Sequence, residues 1–494
     1  MILNAAAHEA ARREPDITPF ARPRALRVLV IAAGLGWSVL FIVIGLACEL
    51  QMYGDGSLFS YAIAVEDAWA FHWRNISGRA LVYLYAFAPS EAYVALTKDA
   101  RGGIALYGFL FFAAQFLGLI ATFAADRSKK RAIFVFACAS TACLCPLVFG
   151  FPTEMWMAHA LFWPALALCH HVKRGMAGGA LVFAALLALV LTHEGAVVLA
   201  VAAVATLFLP SARNPRLLRA AGALGIALAV WIGVKAAMPP DAYFGGVVPR
   251  AALNFVSLGN FENALFLKLF AALASYAAAL CVLRAVAPEK AAAIAAAIVA
   301  IGLIAHWRFF DHALHAENRY YARTALLMGT PVFGALAVAF SLKAEDELRY
   351  PARFARWMKA LGGCATRQAA AGAFLILSLV HVIETAKFVS AWSAYREAVQ
   401  ALATGSVNDP VLGDAHFVSS RRIGDGLERL SWSSTTHFLS VLLAPSFAPS
   451  RLVVDPDAGY FWLSCKTAAA SEQAKRAVPT ASRRLIRVHA CLHR

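Results

Sequence analysis

From residue 28 to residue 388 the chain alternates apolar runs of roughly 20 residues with short polar or basic connections, the pattern of helices that cross a bilayer. The runs predict spans at about 28–48, 104–124, 132–150, a return that ends at His170-His171, then 217–238, 264–283, 291–305, 324–342 and 368–388. Residues 177–209 are apolar except for Thr192-His193-Glu194. At about 1.5 Å per residue this stretch is too long for one straight span, and each half is short for crossing. Basic residues flank both ends, so it reads as a hairpin with His193-Glu194 at its outer tip. Short helices that stop inside a membrane line a cavity, because lipid cannot satisfy their end groups. The alternation gives about eleven spans, with the N-terminus inside and the C-terminus outside.

Two regions break the rhythm. Residues 49–103 form a long amphipathic first outer loop, read as two surface-lying helices, the second with room to dip into the bilayer. Leu58, Tyr61, Val65, Trp69 and Trp73 make a stripe at helical spacing, and aromatic residues on such a stripe suit the headgroup layer. Residues 391–494 read as a small α+β domain outside the cytosol, with a helix over 392–403 and strand-like runs at 438–443, 451–454 and 485–488. Residues 1–27 form a basic cytosolic N-terminus. Arg12, Arg13, Arg22, Arg24 and Arg27 precede an apolar run too long for a signal peptide, which reads as uncleaved. The fold class is therefore an all-α polytopic membrane protein with a transmembrane module over 28–390 and a small C-terminal extracytoplasmic domain.

Composition supports the class. Of 494 residues 61% are hydrophobic and 15% charged, and the mean hydropathy is +0.63. The formal charge of +16 sits mostly in short loops, as the positive-inside rule expects, and no basic stripe interleaves with aromatics. That excludes a nucleic-acid partner and makes the bilayer the partner; a bacterial inner membrane is the expected location. The nine cysteines show no metal spacing. Cys138, Cys143, Cys145, Cys169 and Cys281 lie in apolar runs as small core residues, whereas Cys465 and Cys491 in the tail have the option of pairing.

Chemistry concentrates on one side of this topology. Asp55 stands between Gly54 and Gly56 directly after the first span, with Glu66-Asp67 further along, and the flanking glycines allow a large ligand to approach. Ionisable groups near span ends carry a functional prior. Glu154 and His159 fit either a site or a cap and anchor, and His193-Glu194 either a site or a hydrogen bond closing the hairpin tip. The densest cluster runs from His306 to Arg323 and includes Arg308, His312 and His315. His312 and His315 have the spacing to share a helix face with Arg319 and Arg323. Guanidinium groups match phosphate oxygens in pairs. Asp55 at one lip and Arg319 and Arg323 at another would bind a phosphorylated lipid and leave a carboxylate as general base. A solvated loop with local salt bridges is the plainer alternative, and metal binding by the two histidines a weaker one.

An acidic first outer loop with membrane-lying helices, some eleven spans with short broken helices, and an outer C-terminal domain resemble the GT-C superfamily of membrane glycosyltransferases. The resemblance implies transfer of a sugar from a polyprenyl-phosphate carrier to a glycan, lipid or protein acceptor outside the cytosol. It implies Asp55 as the first-loop acid, with Glu66 and Asp67 as rivals, and Arg319 or Arg323 on the donor phosphate; a divalent metal is left open. Many members carry two adjacent acids in that loop, whereas Asp55 stands alone. A transporter of a lipid or small anion, and a non-catalytic membrane assembly protein, are the alternatives. A transporter favours an internal repeat, and the chain has none that can be read.

Overall fold

A computed structural model describes residues 23–64, 78–209, 215–237, 264–314, 319–344, 363–406 and 417–455, together with Glu66, Ala68, Pro249, Leu253 and Asp409, but without residues 174, 425, 433 and 434. The chain is mostly helical. Among the described residues, seven helices are long and apolar enough to cross a membrane by length and composition. They are α1 (Pro23–Ala47), α4 (Ala100–Ala125), α9 (Pro215–Ala237), α10 (Ala264–Val286), α11 (Ala291–Phe309), α12 (Arg319–Ala344) and α13 (Cys364–Thr404). The other segments expected to span are helices of a different kind. α5 (Ala132–Val148), α7 (Met176–Val190) and α8 (Ala196–Ala205) are short. α6 (Glu154–His171) carries Glu154, His159, His170 and His171 and an internal Pro164.

α4 to α6 and α12 form the centre. α4 packs on α6 and α1, and α5 lies between α1 and α12. Small residues permit the close crossings: a Cβ on Gly34 would stand 2.5 Å from the Cys138 Cα, and one on Gly118 would stand 2.6 Å from the Ala160 carbonyl oxygen. Phe41, Phe112, Phe149, Trp156 and Trp163 fill the space between these helices. α11 is peripheral, with 11% of its apolar window buried against 56% for α4. Ile298, Ile301 and Ile304 face outward from it, as lipid-facing positions do.

The first loop is a packed layer and not a pair of free surface helices. After the single turn Leu50–Met52, α2 (Asp55–Ala64) buries Phe59, Ser60, Tyr61, Ala62 and Ile63. Tyr61, expected among lipid headgroups, instead stacks on Phe438 of the tail with ring centroids 5.1 Å apart. The stripe has a protein partner. Val65, Trp69 and Trp73 lie outside the described residues. A turn at Ala80–Val82 runs through a π turn, Tyr83–Phe87, into α3 (Ala88–Thr97). Leu81 N–H donates to the Leu191 carbonyl at 3.1 Å, which ties this segment to the α7–α8 tip.

α13 has 41 residues, about 60 Å of helix against a hydrocarbon core of about 30 Å. The expected span at 368–388 and the expected tail helix at 392–403 are thus one rod. Near its far end Trp392 Nε1 and Arg396 Nη1 donate to the Cys48 carbonyl at 2.8 and 2.6 Å, and Arg396 pairs with Glu49 at 2.9 Å. These bonds satisfy the C-terminal end of α1 and fix the chain's entry into the Asp55 turn. Beyond α13, β1 (Phe417–Ser419) and β2 (Leu452–Val454) pair in parallel around α14 (Thr436–Leu443). Residues 438–443, expected as a strand, are helical, with Phe438, Leu439 and Leu442 buried; a six-residue apolar run does not distinguish strand from buried helix. The expected strand at 451–454 matches β2; 485–488, Cys465 and Cys491 lie outside the described residues.

Candidate functional site

Three carboxylates and three cations meet where α2, the Ala80 turn, α6, the α7–α8 tip, α9 and α12 end. Gly54 takes φ +57°, the left-handed region, and a Cβ on Gly56 would stand 2.0 Å from the Gln51 carbonyl oxygen. The glycines therefore serve a tight turn that places Asp55 at the first position of α2. Trp432 and Phe151 pack against Gly54, and their rings lie 4.9 Å apart. The Ser57 hydroxyl donates to the Thr435 carbonyl at 3.1 Å. The tail is built into the wall.

Arg79 is a clamp. Its Nη1 donates to Glu154 Oε1 at 2.8 Å, and Nε and Nη2 donate to Glu194 Oε2 at 3.1 and 2.8 Å. Lys235 Nζ, at the end of α9, donates to Glu194 Oε1 at 2.6 Å. Gly195 N–H donates to His193 Nδ1 at 2.9 Å, which leaves the ring proton on Nε2 and closes the tip. Burial alone would raise the Glu194 pKa, but Arg79 and Lys235 hold it well below the usual carboxylate range.

The second pair is looser. Arg323 Nη2 stands 3.8 Å from Asp55 Oδ2, beyond direct hydrogen-bond length, and its guanidinium lies 4.4 Å over the Phe151 ring. The Asp55 side chain is 37% exposed against 6% for Glu154. Loss of hydration still pushes the Asp55 pKa up; Arg323 pulls it back only in part, and Glu154 adds to the rise.

The structure thus brings Asp55, Glu154, His193, Glu194 and Arg323 together. Others from the sequence reading lie elsewhere. Glu66 turns to solvent and pairs with Lys98 at 3.4 Å. His159 is enclosed between helices, its Nε2 at 2.8 Å from the Ser140 hydroxyl and its Nδ1 at 3.0 Å from Gln115 Oε1, so it sits in an internal ladder more than one turn below Glu154. Arg308 is exposed beside Phe309, and His312 is exposed in the connection beyond α11. Their neighbour Asp311 joins a separate cluster with Lys268, Lys387 and Glu384. Asp67, His315 and the Arg319 side chain lie outside the described residues. Sequence reasoning passed over Lys235 and gave Arg79 no role. A single cation at the edge of an apolar run reads as an anchor that reaches for water, and no local pattern names its carboxylate.

Among the described residues no group of three or more His, Cys, Asp or Glu side chains gathers to hold a metal. Glu154 and Glu194, the acids nearest in type to metal ligands, are engaged by Arg79 and Lys235. Comparison of the chain with protein-family models, curated proteins and solved structures gave no match.

Proposed function

We propose that the chain is a GT-C-type membrane glycosyltransferase that moves a sugar from a polyprenyl-phosphate carrier to an acceptor hydroxyl at the extracytoplasmic face. The observation that carries this reading is the contrast between two ion pairs. Arg79 is held closely by two carboxylates, whereas Asp55 stands 3.8 Å from Arg323, beyond direct hydrogen-bond length, with its side chain 37% exposed. Asp55 takes the acceptor's proton as the acceptor oxygen attacks the sugar's anomeric carbon. The bond from that carbon to the carrier's phosphate oxygen breaks, the electron pair leaves with the phosphate, and Arg323 receives the charge. Arg79 positions Glu154 and Glu194 and thereby holds the ends of α6 and of the α7–α8 hairpin around the site. In this reading all eleven apolar helices belong to the bilayer region, the hairpin lines the site from within, and the N- and C-termini lie on opposite sides.

The raised pKa of Asp55 supports the role, since a base of higher pKa is a stronger proton acceptor once ionised. The test is transfer from radiolabelled polyprenyl-phosphate sugars by purified protein, wild type against Asp55→Asn. Equal turnover removes Asp55 from the mechanism. No transfer with any donor favours a transporter or an assembly protein.

A further inference from the structure

Where α11 ends, its surface presents Trp307, Arg308, Phe309 and Phe310, and we propose that this patch binds the headgroup of an anionic phospholipid. α11 has 19 residues, about 28 Å of helix, which matches the thickness of a hydrocarbon core. Its apolar run ends at Ala305, so the patch falls at the level of the headgroups. Ile298 and Ile301 are 54% and 68% exposed, and at about 100° per residue Arg308 and Phe309 continue their side of the helix. Phe309 and Phe310 are 65% and 76% exposed. Aromatic rings at the end of an apolar run suit the boundary between acyl chains and headgroups.

Arg308 supplies the charge. Its guanidinium lies 5.7 Å from the centre of the Phe309 ring, and among the described residues no carboxylate pairs with it. Asp311, the acid nearest in sequence, is buried and taken by Lys268 and Lys387; Glu384 completes that network with the same two lysines. Two cations and two acids balance there, which leaves the Arg308 charge uncompensated. The His306 carbonyl accepts from Phe310 and Asp311 N–H, both at 2.9 Å, so the chain closes the last turn without Arg308. The His306 ring stacks on Phe310 at 6.2 Å and holds that ring against the helix end. A guanidinium matches two oxygens of a phosphodiester, while the phenyl rings meet the first acyl carbons and offer nothing to a free phosphate. A zwitterionic headgroup fits less well, because its own cation would lie against Arg308.

The same network fixes the patch relative to the rest of the molecule. Lys387, which holds Asp311, is followed on α13 by Phe388, and the Phe388 ring meets Tyr53 at 5.0 Å, just before the Gly54-Asp55 turn. The lipid therefore lies on the Asp55 side of the bundle. Lipid is the occupant because the patch continues the isoleucine side of the helix, whose apolar window is only 11% buried. Binding there requires no transfer chemistry.

The experiment uses the full chain in detergent with a trace of phosphatidylglycerol that carries a photoactivatable group, and mass spectrometry maps the adducts. Adducts are expected within residues 306–312. Unlabelled phosphatidylglycerol should displace them about fivefold more effectively than phosphatidylcholine, the worth of one arginine near an anionic surface. Arg308→Gln should abolish that preference and Arg308→Lys keep most of it. Arg429→Gln removes the same charge from an exposed arginine of the tail and should leave the preference intact. If Arg308→Gln does not fold, Phe309→Ala/Phe310→Ala carries the comparison and should lower the labelling at 306–312. No adduct at 306–312, equal displacement by the two lipids, or a preference or labelling unchanged in every folded variant overturns the site. So does a dimer in native mass spectrometry that shields these residues, since protein then covers the patch.

Discussion

Arg323 Nη2 faces Asp55 Oδ2 at 3.8 Å, with its guanidinium over the Phe151 ring. A pair this long, with 37% of the Asp55 side chain accessible, adds little to stability. Asp55→Asn is therefore expected to keep the folded protein's Tm close to wild type while transfer falls about 10²- to 10⁴-fold, the usual contribution of a general base. Radiolabelled transfer and thermal unfolding of the same preparation separate the two effects.

Arg323→Lys keeps the charge but loses the planar fork. Its expected phenotype is a fall in kcat with the donor, together with a higher donor KM, and an unchanged acceptor KM. A rise confined to acceptor KM would place Arg323 on the wrong substrate.

The pH profile reports the pair directly. Asp55 must be ionised to act as base, so activity falls as pH drops through its pKa, which burial sets above that of an exposed carboxyl. Arg323 lowers that pKa; Arg323→Gln removes the lowering influence, and the acid limb of residual activity is expected to move to higher pH. A limb that stays in place would mean that the two groups do not titrate together.

Arg79 behaves oppositely. It is 13% exposed and its partners Glu154 and Glu194 are 6% and 20% exposed, so Arg79→Ala leaves two enclosed carboxylates without their main cation. The expected cost is about 3–5 kcal/mol, visible as a large loss of Tm before any assay of activity. Adding Glu154→Gln and Glu194→Gln to Arg79→Ala is expected to restore part of it, because the repulsion is then removed.

Acid stability has a second source. Burial alone would raise the Asp311 pKa, yet hydrogen bonds from Lys268 and Lys387 hold it at about 2, against 3.8 for a free group. Its stabilising contribution is complete above about pH 4 and is lost as pH falls toward 2. Asp311→Asn should flatten that part of the stability curve.

Topology is best tested at exposed sites. Lys98, next to α3, has a side chain 74% exposed, and Lys129 lies exposed beyond the other end of α4. Lys98→Cys is expected to react with impermeant maleimide from outside whole cells, and Lys129→Cys only after lysis.

The apolar runs were legible because helix length and bilayer thickness fix each other, and the 177–209 hairpin because its length fits neither one span nor two full ones. Asp55 and Arg323 stood out as charges beside span ends. Their companions did not: the Arg79 clamp joins residues from three distant stretches, and nothing local to Arg79 points to Glu154 or Glu194. Tyr61 shows the limit of periodicity, which identifies a buried stripe but not whether lipid or protein covers it. His159 shows another: five residues after Glu154, it lies more than one helical turn deeper and belongs to the packed interior.

The uninterrupted course of α13 has a consequence for how such a protein can change. Its apolar first half and its second half share one backbone axis, and the second half holds Trp392 and Arg396 against the end of α1. Exchanging the tail for that of another protein therefore means importing the first half of the rod as well. One residue inserted between Phe388 and Trp392 would rotate everything above it by about 100°, carrying the docking tryptophan off its carbonyl.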